Sequence, residues 1–182
     1  MVAGSAVRPI PIKVITVSKG ASKGAKLFSA EWAEKVKRYC QLTEITLKPN
    51  PMNVKDPMVA VSHESSKVLK SVSPGEYLVV LDERGRNVKS TDMAALLKHA
   101  SDQSFKGLAF AIGGPYGHSD AVREKADDII SLSSCVLNHT VAHVLLMEQL
   151  YRYVYCCCIL YSKLVSVVCL NKCLLFSSEG IR

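Results

Sequence analysis

Gly107–Gly117, GLAFAIGGPYG, is the stretch that decides how this chain folds. An apolar run enters a glycine-rich turn without any intervening polar residue. Such a run, bounded by a turn signal, reads as a strand buried on both faces. Tyr77–Leu81 (YLVVL) is a second run of the same kind, followed by a polar turn at Asp82–Arg86. Between the two, Thr91–His99 sets Met93, Leu96 and Leu97 on one side of a short helix. Strand, helix, strand is the pattern of two parallel strands joined by a crossover.

The pattern extends in both directions. Toward the N-terminus, Ile10–Val17 (IPIKVITV) is rich in β-branched residues and reads as a strand. A Gly/Ser/Lys loop, Ser18–Lys26, follows. Leu27, Trp32, Val36 and Tyr39 then recur at helical spacing. Leu42–Leu47 alternates like a short strand, Pro49–Pro57 is a proline-rich loop, and Val59–Val72 returns to helical spacing. Toward the C-terminus come a helix near Asp120–Ala126 and a strand around Ile129, Ile130 and Leu132. The last helix is capped by Asn138 and carries Val141, Val144, Leu145 and Met147 on its apolar face. The expected fold is α/β, a mainly parallel sheet flanked by helices. No internal repeat is visible.

The bulk properties agree with a globular protein. The chain has 182 residues, 48% of them hydrophobic and 21% charged. Its net charge of +7 favours a polyanionic partner without requiring one. No acidic residue precedes Glu31, whereas Arg8, Lys13, Lys19, Lys23 and Lys26 do, so this stretch can form a phosphate-facing edge. The seven cysteines are an odd number, and Cys156, Cys157 and Cys158 are adjacent. That is no disulfide framework, and it points to a reducing compartment.

The residues that can carry chemistry sit after the buried strands. Gly113-Gly114-Pro115-Tyr116-Gly117 lets backbone approach a ligand closely, at the strand end where open α/β sheets bind theirs. Its spacing is neither the dinucleotide fingerprint nor a P-loop. Leu132–His139 (LSSCVLNH) is a strand-to-helix loop able to offer backbone donors and acceptors. His139 and His143 stand four residues apart on one helix, but no third ligand completes a metal pattern, so no metal is expected. Cys135 reads as a small buried hydrophobe rather than a nucleophile. Tyr151 and Arg152 suit stacking on a base and pairing with a phosphate.

Four segments, LVVLDERG, FAIGGPYGH, ISLSSCVLNH and LLMEQLYR, resemble in order and spacing the RlmH-type methyltransferases of ribosomal RNA, within the SPOUT class. The resemblance covers residues 10–152, most tightly from residue 78. It implies a trefoil-knotted α/β domain, a homodimer, and S-adenosylmethionine as cofactor. It also implies methyl transfer to N3 of a pseudouridine in large-subunit ribosomal RNA, free or in the assembled ribosome. By motif matching, the cofactor contacts Leu81, Gly113, Leu132, Ser133, Ser134, Cys135, Val136 and Leu137. His139 and Arg152 match positions near the reacting centre. A cytoplasmic location, or a chloroplast or mitochondrion with its own ribosomes, follows.

The expected domain runs over residues 1–152, and residues 153–182 form a divergent, apolar, Cys-rich tail in which no residue after Arg152 fits the family pattern. Tyr153–Phe176 is long enough to span a bilayer, yet Lys163 and Lys172 interrupt it, so membrane association is not expected. Because the family's C-terminus is replaced, a catalytically impaired knotted protein that binds RNA or dimerises is the alternative to an active enzyme.

Overall fold

A computed structural model describes residues 10–49 and 56–162, with side chains through Tyr155. Five strands and five helices alternate: β1 (Ile12–Val17), α1 (Lys23–Lys37), β2 (Leu42–Leu47), α2 (Pro57–Ser71), β3 (Glu76–Asn87), α3 (Ser90–Asp102), β4 (Gly107–Ile112), α4 (Asp120–Lys125), β5 (Asp128–Ser131) and α5 (His139–Ser162). The strands form one sheet in the order β2-β1-β4-β3-β5. Every pairing is parallel. The expected α/β architecture is therefore the observed one. Most of the proline-rich loop, and the tail beyond Ser162, lie outside the described residues.

GLAFAI lies at the centre of the sheet, and all of its residues are buried. Its alternation separates two cores. Leu108, Phe110 and Ile112 face α1, α3 and α5, where Val36, Met93, Leu97, Leu146 and Leu150 pack on them. Ala109 and Ala111 face Val68 of α2 and Val122 of α4. Large side chains therefore fill one face of the strand and alanines the other, as strand periodicity allows. Tyr153 closes the larger core, its hydroxyl donating to the Met93 carbonyl at 2.6 Å. Val154 is buried beside it, so the core continues past Arg152.

Local signals start the helices, and for α1 they do so at Lys23, inside the stretch Ser18–Lys26 that the sequence reads as a loop. Ser22 accepts the Ala25 N–H, Asp56 accepts the Met58 N–H, and Asn138 accepts the Thr140 N–H. Two further sequence expectations are corrected. Leu27 does not join the core but is 74% exposed, because α1 buries the stripe of Ala33 and Val36 instead. The turn at Asp82–Arg86 does not end its strand. β3 pairs with β5 through Leu81, swings outward over residues 82–85, and rejoins β5 at Arg86.

Candidate functional site

The outward swing of β3, the glycine turn after β4 and the loop after β5 meet at the carboxyl ends of the strands. Together they enclose a cleft of about 300 Å³. Parallel strands direct their following loops to one edge, which makes that edge the usual ligand position. Leu81, Asp82, Glu83 and Arg84 form one wall, and Ser131–Ser133 with Cys135–Leu137 form the other. Ile112 through Gly117 make the floor, and His139 and Ala142 close the end nearest α5.

The floor depends on glycine. A Cβ on Gly113 would stand 2.8 Å from the carbonyl carbon of Gly117. The turn folds back that closely because the Gly117 N–H donates to the Gly114 carbonyl at 3.0 Å. Gly113 thus presents bare backbone to the cleft.

The first wall is held by charge. Asp82, with a side chain only 4% exposed, accepts Arg123 Nε at 2.9 Å and the Arg84 N–H at 3.0 Å. Burial by itself would raise the Asp82 carboxyl, but these donors outweigh it and hold the group below the ordinary carboxylate range. Arg123 belongs to α4, so its pair with Asp82 ties that helix to the wall, and Asp120 on the same helix accepts its Nη1 at 2.9 Å. Beneath the floor, His118 is buried with Nε2 at 3.3 Å from the Ala111 carbonyl, and burial pushes its pKa down.

The second wall is a self-bonded loop. Ser131 Oγ donates to the Ser133 carbonyl at 2.7 Å, and the Cys135 N–H donates to Ser133 Oγ at 3.0 Å. Cys135 is exposed and a free thiol, which corrects the expectation of a buried one. The loop turns its thiol outward because Leu132 and Leu137 are its half-buried side chains.

Of the residues expected to hold a cofactor, Leu81, Gly113, Leu132, Ser133, Cys135, Val136 and Leu137 all line this cleft. Ser134 does not; its hydroxyl accepts Asn87 Nδ2 at 2.9 Å, which ties the loop to β3. The two candidate reacting residues are separated. His139 lines the cleft. Arg152 stands about 20 Å further along α5 at the helical rise, ion-paired to Glu148.

The two histidines of α5 have different partners. His139 Nε2 is 3.0 Å from Ser18 Oγ, and His143 Nε2 is 3.4 Å from Glu44 Oε2. Among the described residues, no group of three His, Cys, Asp or Glu side chains can hold a metal ion. None of the described helices is long and apolar enough to cross a membrane. Sequence reasoning missed Ser18, Arg123 and Asp82. Ser18 meets His139 across 121 residues of chain, a distance no local pattern reports.

A family profile described as "Predicted SPOUT methyltransferase" matches residues 10–159. A protein of Arabidopsis thaliana, named provisionally as an RNA methyltransferase, is 45% identical over 82% of this chain and 78% of its own length. "Ribosomal RNA large subunit methyltransferase H" of Solidesulfovibrio magneticus is 35% identical over 78% of this chain and 91% of its own. The protein of the same name from Syntrophotalea carbinolica is 36% identical over 68% and 80%. A crystal structure described as a methyltransferase, from Bordetella pertussis Tohama I, superposes with a TM-score of 0.52 at 17% identity, covering 80% of this chain and 95% of that one; it supports the fold.

Proposed function

The chain belongs to the SPOUT methyltransferase family, and from that premise we propose that it transfers a methyl group from S-adenosylmethionine to N3 of a pseudouridine in large-subunit ribosomal RNA. The observation that carries this reading is the cleft at the strand ends, built from Leu81, Gly113 and the 132–137 loop. Curated relatives named as large-subunit ribosomal RNA methyltransferases support the substrate class.

The cleft's chemistry suits the cofactor. Its volume lies at the lower end of the range for small-ligand pockets. Leu81, Ile112, Ile130 and Leu137 offer apolar surface, while Gly113 and the 132–137 loop offer backbone. When bound, S-adenosylmethionine supplies a methyl group already activated by its sulfonium charge. The protein then has mainly to position the reactants and manage one proton. The 132–137 loop and Gly113 fix the cofactor. His139, at the cleft's edge, meets the imide that must give up its proton, either as base or as stabiliser of the resulting anion. Arg152 is proposed as an RNA contact, since in this chain it lies away from the cleft.

RNA has an edge to approach. Lys19, on the loop after β1, and Lys23 and Lys26, in the first turn of α1, are exposed, and among the described residues they form no salt bridge. By contrast, Lys35 and Lys37 of the same helix are paired with Glu31 and Glu34. A trefoil knot, a homodimer and a compartment holding ribosomes belong to the same proposal. We further propose residues 1–152 as the methyltransferase domain, with Tyr153 and Val154 completing its core, and the rest of 153–182 as an appended tail.

Transfer of labelled methyl from S-adenosylmethionine to ribosomal RNA tests the reading, with pseudouridine and uridine compared at the modified position. Label appearing only with pseudouridine is the expected result. Cofactor binding with no transfer to either substrate would overturn it in favour of a binding protein.

A further inference from the structure

We infer that Ser18 fixes His139 as the Nδ1–H tautomer, so that the cleft meets a hydrogen-bond donor and not a base. For its catalytic meaning this rests on the proposed function; the tautomer itself does not.

The inference follows from counting hydrogens on one hydroxyl. Ser18 follows β1 directly and is buried, its N–H anchored to the Leu47 carbonyl at 3.0 Å. Its Oγ has one hydrogen to give and two lone pairs to share. The Gly20 N–H donates to that oxygen at 3.0 Å, which occupies one lone pair. Gly20 reaches back this way at φ +126°, a backbone conformation that side chains disfavour, so the contact is a built turn. The other partner of the hydroxyl is His139 Nε2, at 3.0 Å.

A buried hydroxyl hydrogen left without an acceptor is costly. Gly20 N is itself a donor and cannot take it. Nε2 of a neutral imidazole can, and the hydrogen bond then requires that Nε2 be bare and Nδ1 carry the proton. His139 lines the cleft and Ser18 does not; with Nε2 engaged by Ser18, Nδ1 is the ring nitrogen free to meet a ligand there.

This chooses between two roles for His139. A bare Nδ1 would serve as base for the imide proton. A protonated Nδ1 instead donates to an oxygen of the pyrimidine as the imide proton passes to solvent water and negative charge develops there, which is stabilisation by a preset donor. Ser18 is then a positioning residue, acting through His139.

Histidine tautomers are read directly from imidazole nitrogen chemical shifts in the full-length chain at neutral pH. The expected spectrum of the wild-type chain shows His139 with a protonated Nδ1 and a bare Nε2. Ser18→Ala should move it toward the opposite tautomer, and Ser18→Thr, which keeps the hydroxyl, should restore it. A wild-type His139 protonated on Nε2, or a Ser18→Ala spectrum unchanged from wild type, overturns the inference. In the methyl-transfer assay, Ser18→Ala should lower kcat by up to about 100-fold, the low end for losing one preset donor, with KM for S-adenosylmethionine unchanged. If His139→Ala retains full transfer, the role proposed for His139 fails, while the spectra still decide what Ser18 does. If His139→Ala is inactive and Ser18→Ala transfers at the wild-type rate, the positioning role fails and the proposed function stands.

Discussion

The two ends of the sheet are built from the same strands and have opposite characters. At the amino end, polar groups are matched to one another. Lys13 Nζ donates to Glu76 Oε2 at 2.7 Å and to the Ser71 carbonyl at 3.0 Å, and the Ser73 N–H shares that same carboxylate oxygen. Asp127 accepts the Leu78 N–H at 2.7 Å, and Tyr77 packs edge-on against Phe105. At the carboxyl end, glycine backbone, an exposed thiol and one face of a histidine border a cleft. A saturated end stabilises, and an end with hydrogen-bonding capacity to spare can bind. Parallel strands make this division natural, because they send all the crossover returns to one edge and all the departures to the other.

The comparison breaks most easily at the floor of the cleft. Gly113→Val should lower S-adenosylmethionine affinity about 100-fold, because overpacking against backbone costs about 1–3 kcal/mol and 1.4 kcal/mol is tenfold in affinity. Calorimetric titration measures it, and affinity within threefold of wild type would mean that the turn is not the binding floor. At the other end, Glu76→Ala should cost about 2–3 kcal/mol of stability by stranding Lys13, with affinity for the cofactor unchanged. Denaturant melts and the same titration separate the two effects. Equal losses in both would erase the distinction between the ends.

A smaller effect concerns pH. Burial lowers the pKa of His118 beneath the glycine turn, from the ordinary 6.5. The unfolded chain therefore binds more protons just below that value, and stability falls as pH falls through the window beneath about 6.5. Above it this contribution is complete. Melting points collected from neutral to mildly acid pH should decline, and His118→Gln should flatten part of that decline. The smallest effect is at the rim. Cys135→Ser should change stability by less than about 0.5 kcal/mol, as exposed substitutions do. The wild-type thiol should be alkylated more slowly when S-adenosylmethionine is present. Equal rates with and without it would remove Cys135 from the cofactor's wall.

Much of this was legible before any fold was known. GLAFAI announces a central strand because no polar residue interrupts it, and its alternation of large residues with alanine already separates the two cores. The loops that border the cleft were legible too, since glycine and short polar loops after buried strands mark the usual binding edge of such a sheet. Helix α5 was less legible. Its start is signalled by Asn138, but its apolar character continues past Arg152, and only packing shows that Tyr153 and Val154 belong to the core.

The sequence therefore carries by itself the alternation of strands and helices, the parallel sheet, and the segments that border the cleft. These follow from periodicity and turn chemistry, which act over a few neighbouring residues. Which distant groups meet depends on how the elements pack. Asp82 finds Arg123 across 41 residues, and Ser18 finds His139 across 121. Those pairings come from sheet order and helix packing, and they govern the charge of the cleft wall and the orientation of its histidine. No local pattern encodes them, because the chain between the partners is free to be anything that folds back to the same edge.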